Sequence, residues 1–97
     1  MPWVAFAEVL FAAEELRIEA EAKLMLSDFD VWIAVIKHGN GDWGEVDVKT
    51  RIANLNGLLN YGTLRSAFIS SRGVPHVITT SGDRTSSTIS VELRYQH

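Results

Sequence analysis

Hydrophobic and polar positions divide the chain into a helical front and a β-rich back. Val48, Ile52, Leu55 and Leu59 fall on one stripe while Lys49, Arg51, Asn54 and Asn56 point elsewhere, which predicts a helix over about 48–60. Asp47 is a natural N-cap for it and Gly62 a natural C-terminal stop, with Gly57 a tolerated weakness between them. Beyond this helix, Thr, Ser, Val and Ile replace Ala, Glu and Leu. Runs 64–70, 74–80 and 87–94 are separated by short turns, and Ile89, Val91 and Leu93 alternate with Ser90, Glu92 and Arg94, so an antiparallel meander is expected. Pro75 lacks an amide donor and belongs at the start of a strand or on an edge.

The front of the chain is read less directly. Val4, Phe6, Val9 and Phe11 suit a short strand. Residues 12–26 are rich in strong helix formers, with Val9, Ala13, Leu16, Ala20 and Leu24 at helical spacing and Glu19–Lys23 in the favourable i,i+4 order, so a helix is predicted there. Glu15 to Leu24 also alternates polar and apolar, which is a strand pattern. The apolar run Val31–Ile36 suits a buried strand, whereas Ser27 or Asp28 as N-cap and Gly39 as stop suit a short buried helix, and both readings stay open. The expected fold is α+β: two or three helices packed on one face of a three- or four-stranded antiparallel sheet, in a single domain spanning 1–97.

Composition narrows the functional classes. A chain of 97 residues that is 46% hydrophobic has one core and no disordered bulk, and without cysteine it has no disulfide to hold that core together. Apolar Val31–Ile36, together with Trp3, Val4, Phe6 and Phe11, exceeds what so small an interior hides, so self-association as a homo-oligomer is expected. A net charge of −3 offers no broad attraction to phosphate backbones, which disfavours a nucleic-acid partner. No stretch has the roughly 18 uncharged apolar residues needed to span a bilayer. The apolar start lacks any Lys or Arg before Arg17 and is interrupted by Glu8, so it is read as part of the fold and a cytoplasmic location is expected.

The most unusual stretch is His38-Gly39-Asn40-Gly41-Asp42-Trp43-Gly44. Its glycines and Asn permit left-handed backbone, and a His, an Asp and a Trp project from it. Such a loop can shape a pocket, or its glycines can simply make a turn with Asp42 bound to loop amides and Trp43 plugging the core. His38 and His76 with Asp42, Asp47 or Asp83 show no recognised metal-ligand spacing, and no metal site is predicted. Nothing resembles a nucleophile elbow. Gly82-Asp83-Arg84 reads as a hairpin turn whose Arg84 offers a fork for an anion.

From Gly41-Asp42-Trp43-Gly44 onward the chain resembles a group of small uncharacterised proteins of bacterial plasmids and other mobile elements. The resemblance runs through His38, the Gly-Asp-Trp-Gly motif, an Asn at 54 or 56, Gly62, Ser66-Ala67-Phe68, Val77-Ile78-Thr79, Asp83-Arg84, Thr88-Ile89 and Tyr95. The usual acidic residue near 81 is replaced by Ser81-Gly82, and the first 37 residues match poorly. The resemblance implies a Gly-Asp-Trp-Gly loop followed by a helix and a meander. It singles out Asp42, Trp43, Asp83 and Arg84 as one cluster, in which Arg84 is expected to pair with Asp42, and implies no established activity and no cofactor; with His38 these are the candidate ligand-binding residues. The expected function is an accessory or binding module of mobile DNA acting through a protein partner or small ligand. The alternative is a small toxin-like RNase or other hydrolase using His38, His76 and Arg84 for acid–base work and phosphate stabilisation.

Overall fold

The computed structural model describes residues 10–92. In chain order the elements are β1 (Glu15–Ile18), α1 (Ala20–Met25), α2 (Asp28–Gly39), α3 (Val48–Asn60), β2 (Leu64–Ile69), β3 (Pro75–Thr80) and β4 (Ser86–Val91). The fold class is the expected α+β. One four-stranded sheet has the order β1-β4-β3-β2. The meander forms as anticipated, with Leu64 opposite Thr80 and Thr80 opposite Ser87, and Pro75 opens β3.

The sheet is mixed rather than antiparallel throughout, because β1 pairs with β4 in parallel, from Glu15↔Ser86 to Ile18↔Ile89. The helices carry the chain from β1 at one edge to β2 at the other, and the meander returns to set β4 beside β1 in the same direction. This corrects the helix expected over 12–26. Residues 15–18 are strand and only Ala20–Met25 are helical. Ladder bonds from the Glu15 amide to the Thr85 carbonyl (3.1 Å) and from Glu19 to Ile89 (3.0 Å) outweigh a local propensity of a few tenths of a kcal/mol per residue. Of the strand anticipated through Val4, Phe6, Val9 and Phe11, only Phe11 lies within the described residues, and it is not in a strand.

The open choice over Val31–Ile36 resolves as helix. The Ser27 hydroxyl accepts the Asp30 amide at 3.0 Å while the Asp30 carboxylate accepts the Ser27 amide at 3.2 Å, a capping box that starts α2. Ala34 enters the core with Val31 and Val35 beside it, and Trp32 on the opposite side stays 58% exposed. That core sits between α1 and α2 and the sheet face bearing Phe68, Ile78 and Ile89. A second cluster joins Trp43, Val46 and Leu64, with Phe11 and Leu58 against it.

Helix α3 has the expected bounds, and the Asp47 carboxylate caps it by accepting the Thr50 amide at 2.8 Å. Its C-terminal left-handed residue is Tyr61 (φ 57) rather than Gly62. Its orientation is the reverse of what an apolar stripe implies. Asn54 and Gly57 are buried, whereas Val48, Ile52, Leu55 and Leu59 face solvent. The cause lies in β2, an outer strand whose Arg65 peptide points away from the sheet. The Asn54 amide closes on it like a missing strand, donating to the Arg65 carbonyl at 2.7 Å and accepting the Arg65 amide at 2.9 Å. Two residues on, Ala67 donates to the Trp43 carbonyl (3.0 Å) and accepts from the Glu45 amide (2.7 Å), so the same edge is covered by loop backbone.

Candidate functional site

His38 stands in the last turn of α2, which delivers its ring into the sheet face beside Ser66 and Thr80. Nδ1 meets the Ser66 hydroxyl at 2.5 Å and Nε2 meets the Thr80 hydroxyl at 2.8 Å, while Thr80 continues to Ser87 at 2.6 Å. All four residues are buried. A neutral imidazole has one donor and one acceptor, so it completes this chain of hydroxyls without a charge. Burial, reinforced by the nearby Arg84 cation, pushes the His38 pKa down from 6.5 to about 4. Phe11 and Trp43 close over the ring edge-to-face, with centroids at 4.9 and 5.7 Å. His38 is thereby a core residue with both nitrogens committed.

Arg84 is equally committed. Its guanidinium donates to the carbonyls of Gly62 (2.9 Å), Ser81 (3.1 Å), Gly82 (3.0 Å) and Gly57 (3.0 Å), tying the end of α3 to the β3–β4 turn. It also lies over the rings of Phe11 and Tyr61. The expected Arg84–Asp42 pair is not formed. Asp42 instead accepts the Gly44 amide of its own loop at 3.1 Å, because a short Asx turn is locally available. Loop and turn still meet, through Phe11, which stacks on Trp43 at 6.2 Å and lies beneath Arg84. Asp83 is exposed, and its carboxyl is held below the ordinary range by the hydroxyls of Ser81 and Thr85 and the Thr85 amide.

Gly44 (φ 71) is required by contact as well as conformation, since a Cβ there would lie 2.1 Å from the Ala67 carbonyl. This packing folds the loop onto β2 and leaves a cleft of about 490 Å³ between α2, the loop and the ends of β2 and β3. Ile33, Ala34 and Phe68 contribute apolar walls; Asp30, Asp42 and Glu45 are its acids, Lys37 is its one ammonium and His76 its one imidazole. Lys37 lies over the Phe68 ring, 5.9 Å from its centroid. His76 is buried and its Nδ1 donates to the Val74 carbonyl at 3.0 Å, so in the neutral ring Nε2 is the acceptor. Burial opposes ionisation of Asp30. Hydrogen bonds from the Ser27 amide and hydroxyl and the Ser71 amide, with a smaller electrostatic effect of His76, nonetheless hold its pKa below the ordinary 3.8.

Of the predicted site residues, the cleft takes only Asp42. His38 and Trp43 are core, and Arg84 and Asp83 build a turn. His38, His76 and Arg84 do not converge: Thr80, which holds His38, is four residues along β3 from His76, a span of roughly 13 Å. Sequence reasoning missed Asp30, Lys37, Glu45 and Phe68, which are unremarkable until α2 and β2 are placed side by side. Among the described residues no group of three or more His, Asp or Glu could hold a metal ion, and no helix is long and apolar enough to cross a membrane. No protein-family model, curated protein or solved structure matches the chain.

Proposed function

We propose that the protein is a non-enzymatic binding module, of the accessory kind carried by mobile DNA, that takes a cationic side chain of a partner segment into the α2–β2 cleft. One observation carries this reading: His38 and Arg84 are committed inward and do not join His76 in the cleft, while the exposed acids Asp42 and Glu45 line it beside apolar Ile33, Ala34 and Phe68. A group with an aliphatic stem and a cationic head matches such a surface. The stem lies along Ile33 and Phe68, the head reaches Asp42 or Glu45, and Lys37 swings out from Phe68 as it enters. The resemblance to plasmid-borne proteins supports the accessory role. Most of the residues that carry it, among them His38, Ser66 and Arg84, hold the fold rather than line the cleft.

The test is an amide-shift titration of the isotope-labelled protein with a short arginine-rich peptide. Shifts are expected at residues 29–37, 42–45 and 68–71, weakened several-fold in Asp42→Asn and Glu45→Gln. The reading fails if such peptides leave these amides unmoved. Cleavage of a fluorescent RNA, abolished by His76→Ala, would put the hydrolase in its place.

A further inference from the structure

We propose that a second copy of this chain covers the exposed stripe of α3, in an antiparallel helix pair with its two-fold axis between Ala53 and Asn54. The inference is independent of the cleft. Val48, Ile52, Leu55 and Leu59 are 68, 55, 55 and 78% exposed although each is a large aliphatic residue. Their spacing of four, three and four is the alternation of a helix-pairing seam, not the scatter of isolated surface residues. Together they present on the order of 400 Å² of apolar surface, comparable to the largest patch of a typical monomer, which is often functional.

The occupant is specified by symmetry and charge. Reversing the stripe about its midpoint maps it onto itself: Val48 lies opposite the partner's Leu59 and Ile52 opposite the partner's Leu55, which is the self-complementarity an isologous dimer needs. α3 carries Lys49 and Arg51 in its first half and no acidic residue along its length. A parallel pair would gather these cations and both positive helix ends at one place. An antiparallel pair separates them and sets them beside the uncharged second half of the partner's helix. The helix can spare this face because Asn54 and Gly57 have already attached its other side to β2. The axis lies on α3 rather than on the Val31–Ile36 run, of which Val31, Ala34 and Val35 are turned toward the core and Ile33 lines the cleft.

Sedimentation of the full chain at tens of micromolar decides the matter. A dimer is expected, and Leu55→Glu should convert it to a monomer with an unchanged far-ultraviolet spectrum. Trp32→Glu, an exposed apolar residue on α2, should leave it dimeric. Orientation is read from disulfides, since the chain has no cysteine of its own. In the antiparallel pair, Lys49→Cys lies about 13 Å along the axis from its copy and does not cross-link to it, whereas a mixture with Asn56→Cys chains does. A monomer at these concentrations overturns the proposal, as does a dimer that survives Leu55→Glu but dissociates with Trp32→Glu. Cross-linking of Lys49→Cys to itself overturns the antiparallel arrangement.

Discussion

Acidification should weaken the fold through one residue, His38. The unfolded chain protonates a histidine near 6.5, whereas the buried ring resists a proton down to about 4. As pH falls through this window the unfolded state takes up a proton that the folded state refuses. Stability is therefore full above 6.5, declines between 6.5 and about 4, and levels off below. Each tenfold difference in proton affinity is worth about 1.4 kcal/mol, so the whole decline amounts to about 3 kcal/mol. That is a large share of the 5–15 kcal/mol typical of a small domain, roughly speaking. Asp30, Asp47 and Asp83 lie below their ordinary 3.8, so their contributions are lost only at lower pH. Urea unfolding at stepped pH measures the effect as a fall of about 2 M in midpoint, given a slope of about 1.5 kcal/mol/M. His38→Gln should be less stable at neutral pH yet flat across the same range, since it cannot take the proton. A wild-type midpoint that does not move between 6.5 and 4, or a ring that titrates near 6.5 by nuclear magnetic resonance, would refute the argument.

Three further outcomes are expected from thermal or chemical unfolding. Trp43→Ala should cost about 3–5 kcal/mol by opening a cavity among Phe11, Val46 and Leu64, and a variant of normal stability would mean that the loop is not anchored there. Asn54→Leu keeps the volume but strands the Arg65 amide and carbonyl, so a loss of about 2–4 kcal/mol is expected; a neutral result would show that water replaces the clamp. Arg84→Lys should be clearly less stable than wild type, because one ammonium cannot span carbonyls of Gly57, Gly62, Ser81 and Gly82, and equal melting points would mean that the fork is dispensable.

How much of this could be read from the sequence differs by element. The bounds of α3 and the presence of the meander rest on signals a few residues long, an Asp47 cap and a two-residue alternation; both elements form, though the last strand, expected over 87–94, is Ser86–Val91, and 93–94 lie outside the described residues. β1 was hidden because its pairing partner lies 71 residues away, and no local propensity contains that information. An apolar stripe says that a helix has two faces without saying which one the sheet takes. In α3 the clue was the polar residue Asn54, whose meaning depends on an orphan peptide at Arg65. The His38 chain was unreadable for the same reason, since Ser66 and Thr80 are 28 and 42 residues distant. The 38–44 loop was correctly marked as unusual. Its Asp42 borders the cleft, but Trp43 and His38 serve the interior.

The covering of β2 also bears on how the molecule behaves when crowded or heated. An uncovered outer strand is a template on which another chain can add hydrogen bonds, and sheets that grow this way become fibrils. Here the outward peptides of Arg65 and Ala67 are occupied by the Asn54 side chain and the Trp43 and Glu45 backbone, so growth from that side requires α3 or the loop to detach first. Among the described residues the opposite side ends in the four-residue β1, short and charged, with Glu15 and Arg17 paired at 3.2 Å. Templated growth is thus directional, and an uncharged Glu15→Thr/Arg17→Thr variant is where it would begin.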